Sequence, residues 1–160
     1  MFTKNGKALT AKGVKPVCPF QQVFQSTYLF GAFSPITGNS FMMELPYCNT
    51  VTFQLFLDEF AKEEPDEFKI VVLDNGAFHK AKALVIPPNI ILVFLPAYSP
   101  ELNPAEKIWA KCKRTFTNRL FKTLEELSLF IDEATKTIDI STVKSTCAFS
   151  YIFEGAFWTI

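Results

Sequence analysis

The sequence has a single histidine, and its four cysteines form no Cys-x-x-Cys pair. Zinc sites and disulfide frameworks need clustered ligands, so the cysteines are predicted to be buried thiols of a chain in a reducing, intracellular setting. No apolar run reaches the roughly 18 residues that a membrane-spanning helix requires. The polar, basic first residues lack the apolar segment of a secretory signal. The net charge is zero by count, which does not by itself indicate a nucleic-acid-binding protein.

Apolar and aromatic residues, in contrast, are abundant. The 160 residues suit one domain, and a hydrophobic content of 49% with 18 phenylalanines supplies a sizeable core. The charges are unevenly placed along the chain. Residues 107–119 carry five basic residues and no acid, whereas acids gather in residues 58–68 and 124–133. A basic helix face is therefore a candidate for contacts with phosphates.

The hydrophobic pattern predicts an α/β fold with a mixed sheet flanked by helices. A hairpin rich in β-branched and aromatic residues is followed by two continuous apolar runs, as expected for central strands covered on both faces. The predicted strands are 23–33, 41–45, 68–74 and 89–95. Periodic apolar positions that follow capping residues predict the helices. The predicted helices are 50–62, 79–85, 104–118 and 124–137, and we expect the 68–74 and 89–95 strands to share one sheet.

Two stretches hold the candidate functional residues. Residues 71–79 read VVLDNGAFH and place Asp74 at the carboxyl end of a central strand, where functional groups of open α/β sheets collect. Residues 95–109 read LPAYSPELNPAEKIW and place Glu106 in the first turn of a helix. Each acid also has a structural interpretation. Asp74 begins a tight Asp-Asn-Gly turn, and Glu106 suits a capping box with Asn103 and the helix dipole.

Together the two carboxylates predict a metal site. A strand end and a neighbouring helix can bring Asp74 and Glu106 to one hard divalent cation, because such cations prefer oxygen ligands. Paired Mg²⁺ ions about 3.5–4 Å apart can clamp the attacking and leaving oxygens of a phosphodiester displacement. We therefore expect the two carboxylates to lie about 4–8 Å apart, given ligand distances of about 2.1 Å.

The sequence LDNGAFH followed by LPAYSPELNPAEKIW resembles the catalytic core of DDE transposases, in the insertion-sequence 630 branch of the mariner-like superfamily. The hairpin and first helix, YLFGAFSPITGNSFMMELPYCNTVTFQLFLDEF, resemble the same family, so the resemblance covers roughly residues 10–135. It implies an RNase H-like fold, two Mg²⁺ or Mn²⁺ ions held by three acids, and cutting and rejoining of transposon ends. By this resemblance Asp74 is the second acid and Glu106 the third.

The resemblance also suggests roles for residues around the two acids. His79 matches a family histidine that orients the site or contacts DNA, with capping or packing as an equal alternative. Trp109 resembles a family tryptophan and is expected in the core. The residues expected beside the site or in contact with DNA are Asn75, His79, Tyr98, Ser99 and Asn103. The residues proposed to contact DNA phosphates are Lys107, Lys111, Lys113 and Arg114, although a solvated helix face is the commoner meaning of such a run.

Two parts of the family pattern have no counterpart here: the first acid on the first strand, and the N-terminal helix-turn-helix. We therefore expect a partial catalytic domain at 1–138, a tail at 139–160, and a gap or exposed edge in the sheet between the hairpin and the Asp74 strand. Such a truncated chain should be inactive alone. The implied partners are transposon-end and target DNA, with a homodimer or the upstream transposase half as protein partners. The implied location is the cytoplasm, at the nucleoid and without a membrane.

Three functions remain open from the sequence. The first is a transposase catalytic fragment that needs the missing strand from elsewhere. The second is a non-catalytic remnant that binds DNA or the full-length transposase. The third, a phosphotransferase with Asp74 as nucleophile, lacks the Asp-x-Asp pattern of that chemistry, since residue 76 is glycine.

Overall fold

The structure, a computed structural model, describes residues 12–13, 26–76, 79, 81–117, 119–149 and, by backbone alone, 157–159. The chain enters the fold through a regular hairpin. Strands β1 (Tyr28–Phe33) and β2 (Ser40–Leu45) pair antiparallel from Tyr28 opposite Leu45 to Phe33 opposite Ser40. The connecting turn needs Gly38, because its φ of +84° is one that side chains with a Cβ rarely adopt. The hairpin predicted at 23–33 and 41–45 is confirmed, with a shorter first strand and residues 23–25 outside the described part.

Helix α1 (Thr50–Lys62) has the predicted bounds and the predicted cap. The Asn49 side chain accepts a bond from the Thr52 N–H (3.0 Å), and the Thr52 hydroxyl accepts one from the Asn49 N–H (3.2 Å). The predicted apolar face is buried throughout: Phe53, Phe56, Leu57 and Phe60. Burying each of these side chains stabilises the fold by about 1.5–3 kcal/mol.

The two apolar runs form parallel neighbours at one side of the sheet. Strand β3 (Lys69–Leu73) pairs with β4 (Ile90–Phe94) from Lys69 opposite Ile90 to Leu73 opposite Phe94. The prediction that these strands share one sheet is confirmed. The helix predicted between them at 79–85 is wrong, because among the described residues of this range only residue 79 is in a short 3-10 turn, whereas residues 81–85 form a turn and irregular chain. Val85 instead makes its backbone hydrogen bonds with Gln54 of α1. The Val85 N–H donates to Gln54 Oε1 (2.7 Å), and the Val85 carbonyl accepts from Gln54 Nε2 (2.8 Å).

Among the described residues, a 3-10 turn (Pro100–Leu102) and three α-helices follow β4. The α-helices are α2 (Ala105–Thr115), α3 (Leu124–Lys136) and α4 (Ile140–Thr146). Helix α3 begins at Thr123, whose hydroxyl accepts a bond from the Glu126 N–H (3.2 Å). In a capping box the Glu126 carboxylate would accept from the Thr123 N–H, but here it accepts from the Lys122 N–H (2.8 Å). Helix α4 was not predicted, although Asp139 caps it through a bond from the Thr142 N–H (2.7 Å).

The sheet lies between two apolar layers. On one face, alternate residues of β1, β3 and β4 pack with the phenylalanines of α1. On the other face, Phe33 packs with Ile108 of α2 and with Val143 and Cys147, in and just after α4. Strand parity assigns even-numbered positions of β3 to the α2 side, because Val71 and Leu73 belong to the α1 cluster.

A fifth strand, β5 (Phe157–Thr159), fills the middle of the sheet, in the order β2-β1-β5-β3-β4. It pairs parallel to β3 (Ile70 with Phe157 to Val72 with Thr159) and antiparallel to β1 at Phe33 with Thr159. The expected gap between the hairpin and the Asp74 strand is therefore corrected: part of the C-terminal tail lies there. This five-stranded mixed sheet with flanking helices is consistent with an RNase H-like domain.

Candidate active site

Asp74 directly follows β3. Its Oδ1 atom accepts a hydrogen bond from the Gly76 N–H (2.9 Å). The tight turn suggested by Asp-Asn-Gly is wrong, because residues 74–76 form no turn and neither Asn75 nor Gly76 has a positive φ. The side chain nevertheless remains 56% exposed. A carboxylate accepts through both oxygens, so a single backbone bond leaves Asp74 with capacity for another ligand.

His79 is buried beside Asp74. Its ring stacks on Phe53, with centroids 4.5 Å apart and planes at 22°. The Nδ1 atom lies 3.4 Å from Asp74 Oδ1. Burial lowers the pKa of His79. The negative charge of Asp74 and a hydrogen bond with the Asp74 backbone oppose that shift. His79 is therefore placed to hold Asp74 at the strand end from inside the fold.

The start of α2 sets the position of Glu106. Asn103 is extended (φ −86°, ψ 108°) and Pro104 is already helical (φ −62°, ψ −29°), an arrangement in which proline suits the first helical position. The Asn103 side-chain oxygen accepts from the Ala105 N–H (3.1 Å), and its backbone N–H donates to the Pro100 carbonyl (3.0 Å). Glu106 lies one residue further, with its side chain exposed.

One pocket of about 190 Å³ collects these side chains. A volume of this size holds on the order of six water molecules. Four of the sequence-predicted site residues line it: Asp74, His79, Asn103 and Glu106. Because Asp74 is at an even-numbered position, it projects toward α2, the helix that carries Glu106. The two acids thus line one pocket. Their role as metal ligands and the expected spacing of about 4–8 Å stay predictions.

Other predicted site residues lie beside the pocket rather than in its lining. The Asn75 side chain donates to the Leu95 carbonyl and so ties the end of β3 to the end of β4. Tyr98 is fully exposed at a φ of +60°, and the Ser99 hydroxyl lies 3.5 Å from the Ala97 carbonyl. These three residues shape the loop around the site.

The basic residues proposed for DNA contact lie on α2. Lys107 Nζ lies 4.2 Å from the centroid of the Phe149 ring, and Lys111 Nζ donates to the Thr142 hydroxyl (3.2 Å). Lys113 is exposed and lines a separate apolar pocket, and Arg114 is also exposed. Lys107 and Lys111 therefore pack toward the C-terminal segment, whereas Lys113 and Arg114 face outward.

The pocket also contains residues that sequence reasoning missed. Four consecutive residues of β1, Tyr28 to Gly31, line it together with Cys48 and Trp109. The hairpin resembles the family only as a segment, and none of its residues was predicted at the site, since their place depends on how the sheet is assembled. The role of Gly31 is visible only in the structure, where a Cβ at this position would lie 2.8 Å from Trp109 Cη2.

The prediction that the cysteines are buried thiols is confirmed for two of the three cysteines in the described residues. Cys112 and Cys147 are buried, but Cys48 is exposed at the pocket, and Cys18 lies outside the described residues. Partial desolvation and then the negative charge of Asp74 raise the pKa of Cys48. Desolvation likewise raises the pKa of Cys147, to about 11. Both thiols are thus favoured in their protonated form.

The pocket offers a divalent cation an incomplete set of ligands. Asp74 and Glu106 are the oxygen donors that Mg²⁺ or Mn²⁺ prefers. Within the described ranges, however, no group of three or more His, Cys, Asp or Glu side chains is arranged to hold a metal ion. The residues present therefore fit part of a metal site.

Comparisons with known proteins identify the family of the chain. A family model described as DDE superfamily endonuclease matches residues 3–128, a range that includes both acids. The uncharacterized protein y4pE/y4sA of Sinorhizobium fredii is 37% identical over 102 residues, which is 62% of this chain and 76% of that protein. No solved structure matches. None of the helices in the described residues is long and apolar enough to cross a bilayer.

Proposed function

We propose, since this chain belongs to the DDE superfamily endonuclease family, that it is the catalytic part of an insertion-sequence transposase of the mariner-like, insertion-sequence 630 type. The reaction is metal-dependent cleavage of DNA strands and their transfer to a target. The observation that carries the proposal is the shared pocket: Asp74 and Glu106 come from separate motifs and line one cavity.

Asp74 and Glu106 are the residues that would hold Mg²⁺ or Mn²⁺. When bound, such ions stabilise the charge on the attacking and leaving oxygens of a phosphodiester displacement. The protein's own contribution is positioning, which is the main requirement of phosphoryl transfer. His79 holds Asp74 from the core side, and Asn103 fixes the first turn of α2 that presents Glu106.

DNA is the proposed substrate. The exposed Lys113 and Arg114 lie further along α2 and would contact the phosphate backbone, with Lys107 and Lys111 closer to the C-terminal segment. Contacts of this kind position a duplex without reading its sequence. We therefore assign recognition of transposon ends to another segment or partner, either the upstream transposase half or a second copy.

A non-catalytic role is the second candidate for the chain on its own. The observation that favours it is the incomplete ligand set among the described residues. Two carboxylates give a hard cation less charge and less fixed geometry than three, so we expect weak binding and little cleavage. In this form the chain acts as a DNA-binding or interaction protein.

Mn²⁺ titration followed by electron paramagnetic resonance, together with nicking of supercoiled DNA, tests the proposal. Asp74→Asn and Glu106→Gln should each weaken Mn²⁺ binding by about tenfold or more, a loss of about 1.4 kcal/mol. Glu101→Gln is the matched control, because Glu101 is exposed in the same loop but lies outside the pocket lining. It should leave Mn²⁺ binding unchanged.

Activity gives the second readout. The chain alone should nick DNA weakly or not at all, and adding the upstream segment that carries the missing acid should produce cleavage. Asp74→Asn or Glu106→Gln should then abolish that cleavage. Strong metal-dependent cleavage that survives both substitutions would place the active site elsewhere.

A further inference from the structure

A second cavity lies beside the candidate active site, among β1, α2 and α3. Its volume is about 360 Å³, within the range of small-molecule sites. Three residues line both cavities: Tyr28, Leu29 and Trp109. The other residues that line this one are Thr27, Cys112, Lys113, Phe116, Leu127 and Ile131. All of them belong to the described part of the chain, and we call the cavity the aromatic pocket.

One wall of the aromatic pocket is a single face of α2. Trp109, Cys112, Lys113 and Phe116, the residue that ends the helix, follow the i, i+3, i+4, i+7 spacing of such a face. Cys112 and Phe116 are buried. The Trp109 indole packs edge-on against Phe33, with ring centroids 5.3 Å apart, so the sheet fixes its position. A ligand ring against Trp109 and Phe116 would gain the offset or edge-on contacts that aromatic pairs prefer.

Lys113 gives the aromatic pocket its charge. None of the residues that line it is acidic, whereas the neighbouring pocket contains Asp74 and Glu106. Lys113 is exposed and forms no ion pair with any described residue. A lysine lays its apolar stem along apolar surface and keeps its ammonium group in water. The cation therefore lies at the mouth of the aromatic pocket and attracts an anion, while the neighbouring pocket attracts cations.

We propose that the aromatic pocket binds a small aromatic monocarboxylate, with its ring against Trp109 and Phe116 and its carboxylate beside Lys113. The volume corresponds to about twelve water molecules at about 30 Å³ each, which is space for about a dozen non-hydrogen atoms, as in a two-ring acid. A peptide segment or a whole nucleotide is larger. The site needs neither Asp74 nor Glu106, so it stands apart from the proposed cleavage chemistry.

Calorimetric titration of the full chain with 2-naphthoate tests the proposal. Saturable binding is expected, with a Kd of about 1 mM or lower. Lys113→Met keeps an apolar stem and removes the cation, so it should raise the Kd at least about threefold. Arg114→Met is the matched control, because it removes an equal charge from an adjacent exposed residue outside the lining. It should leave the Kd unchanged.

Further measurements identify the ligand class and the place of binding. 2-Naphthamide has a similar shape without the charge, so it should bind more weakly than 2-naphthoate and should be insensitive to Lys113→Met. The Trp109 indole N–H signal in NMR spectra, identified by its loss in Trp109→Phe, should shift on binding. Leu127→Phe adds volume to the pocket from α3 and should weaken both ligands, with circular dichroism as the check that this variant is folded. If it does not fold, the comparison of Lys113→Met with Arg114→Met still decides the proposal.

Several results would each overturn the proposal. They are no saturable binding of 2-naphthoate up to about 5 mM, equal affinity for 2-naphthamide, equal losses in Lys113→Met and Arg114→Met, and an unchanged Trp109 indole signal. Tighter binding of deoxyadenosine monophosphate than of 2-naphthoate would also overturn it, because the aromatic pocket would then belong to the surface that contacts DNA.

Discussion

Replacing Gly31 by alanine tests how the sheet and α2 are packed around the site. The new Cβ would lie 2.8 Å from Trp109 Cη2, 3.0 Å from Phe33 Cζ and 3.1 Å from Met42 Cγ. Ordinary contacts begin at 3.4 Å, so the indole must withdraw by about 0.6 Å. It is held edge-on against Phe33, with ring centroids 5.3 Å apart. Overpacking of this kind costs about 1–3 kcal/mol.

The expected result is a lower midpoint of unfolding in urea and a lower Tm, both measured by circular dichroism. For a chain of this size, 1 kcal/mol corresponds to about 2–4 °C in Tm, so Gly31→Ala should lower Tm by about 2–12 °C. Trp109→Phe should also destabilise the fold, because it weakens the contact with Phe33.

The double variant decides whether the two residues interact. A phenylalanine ring ends short of the Cη2 position, so Gly31→Ala combined with Trp109→Phe should cost at least about 1 kcal/mol less than the sum of the single changes. Additivity within about 0.5 kcal/mol would refute the argument that the indole is what excludes a side chain at position 31.

Two further predictions concern the core side of the site and the first helix. Burial lowers the pKa of His79, so the unfolded chain binds its proton more readily, and stability should decline as the pH falls below about 6.5 toward the folded-state pKa. His79→Phe should remove this part of the pH dependence in urea unfolding at about pH 5–8, and an unchanged slope would contradict it. Asn49→Ala should cost about 1 kcal/mol through the lost bond to the Thr52 N–H, whereas Asn49→Asp should retain most of it; equal losses in thermal unfolding would argue against capping.

The sequence predicted best the elements whose signals are local. Helix α1 has both a capping residue, Asn49, and a complete apolar face, and its bounds were correct to the residue. Strands β3 and β4 are continuous apolar runs and were placed within one residue of their ends. Helix α4 carries a signal that was overlooked, the Asp139 cap before seven helical residues.

Strand β5 could not have been predicted in the same way. Three residues, Phe157 to Thr159, are too few to show a period, and their place is set by the backbone edges of β1 and β3 on either side. The error at 79–85 has a similar origin. Gln54, on α1, supplies the backbone partners of Val85 that a local helix would otherwise provide. Both outcomes depend on contacts distant in sequence.

Asp74 and Glu106 belong to separate motifs, and they line one pocket because of the way β3 and α2 pack together. Strand parity turns Asp74 toward the sheet face that α2 covers, and the buried Ile108 holds α2 on that face against Phe33. A slip of one residue in the pairing of β3 would turn Asp74 toward α1 and bury Val72 and Ile70 on the wrong side. The hydrophobic register of β3 and the geometry of the site are therefore fixed by the same alternation.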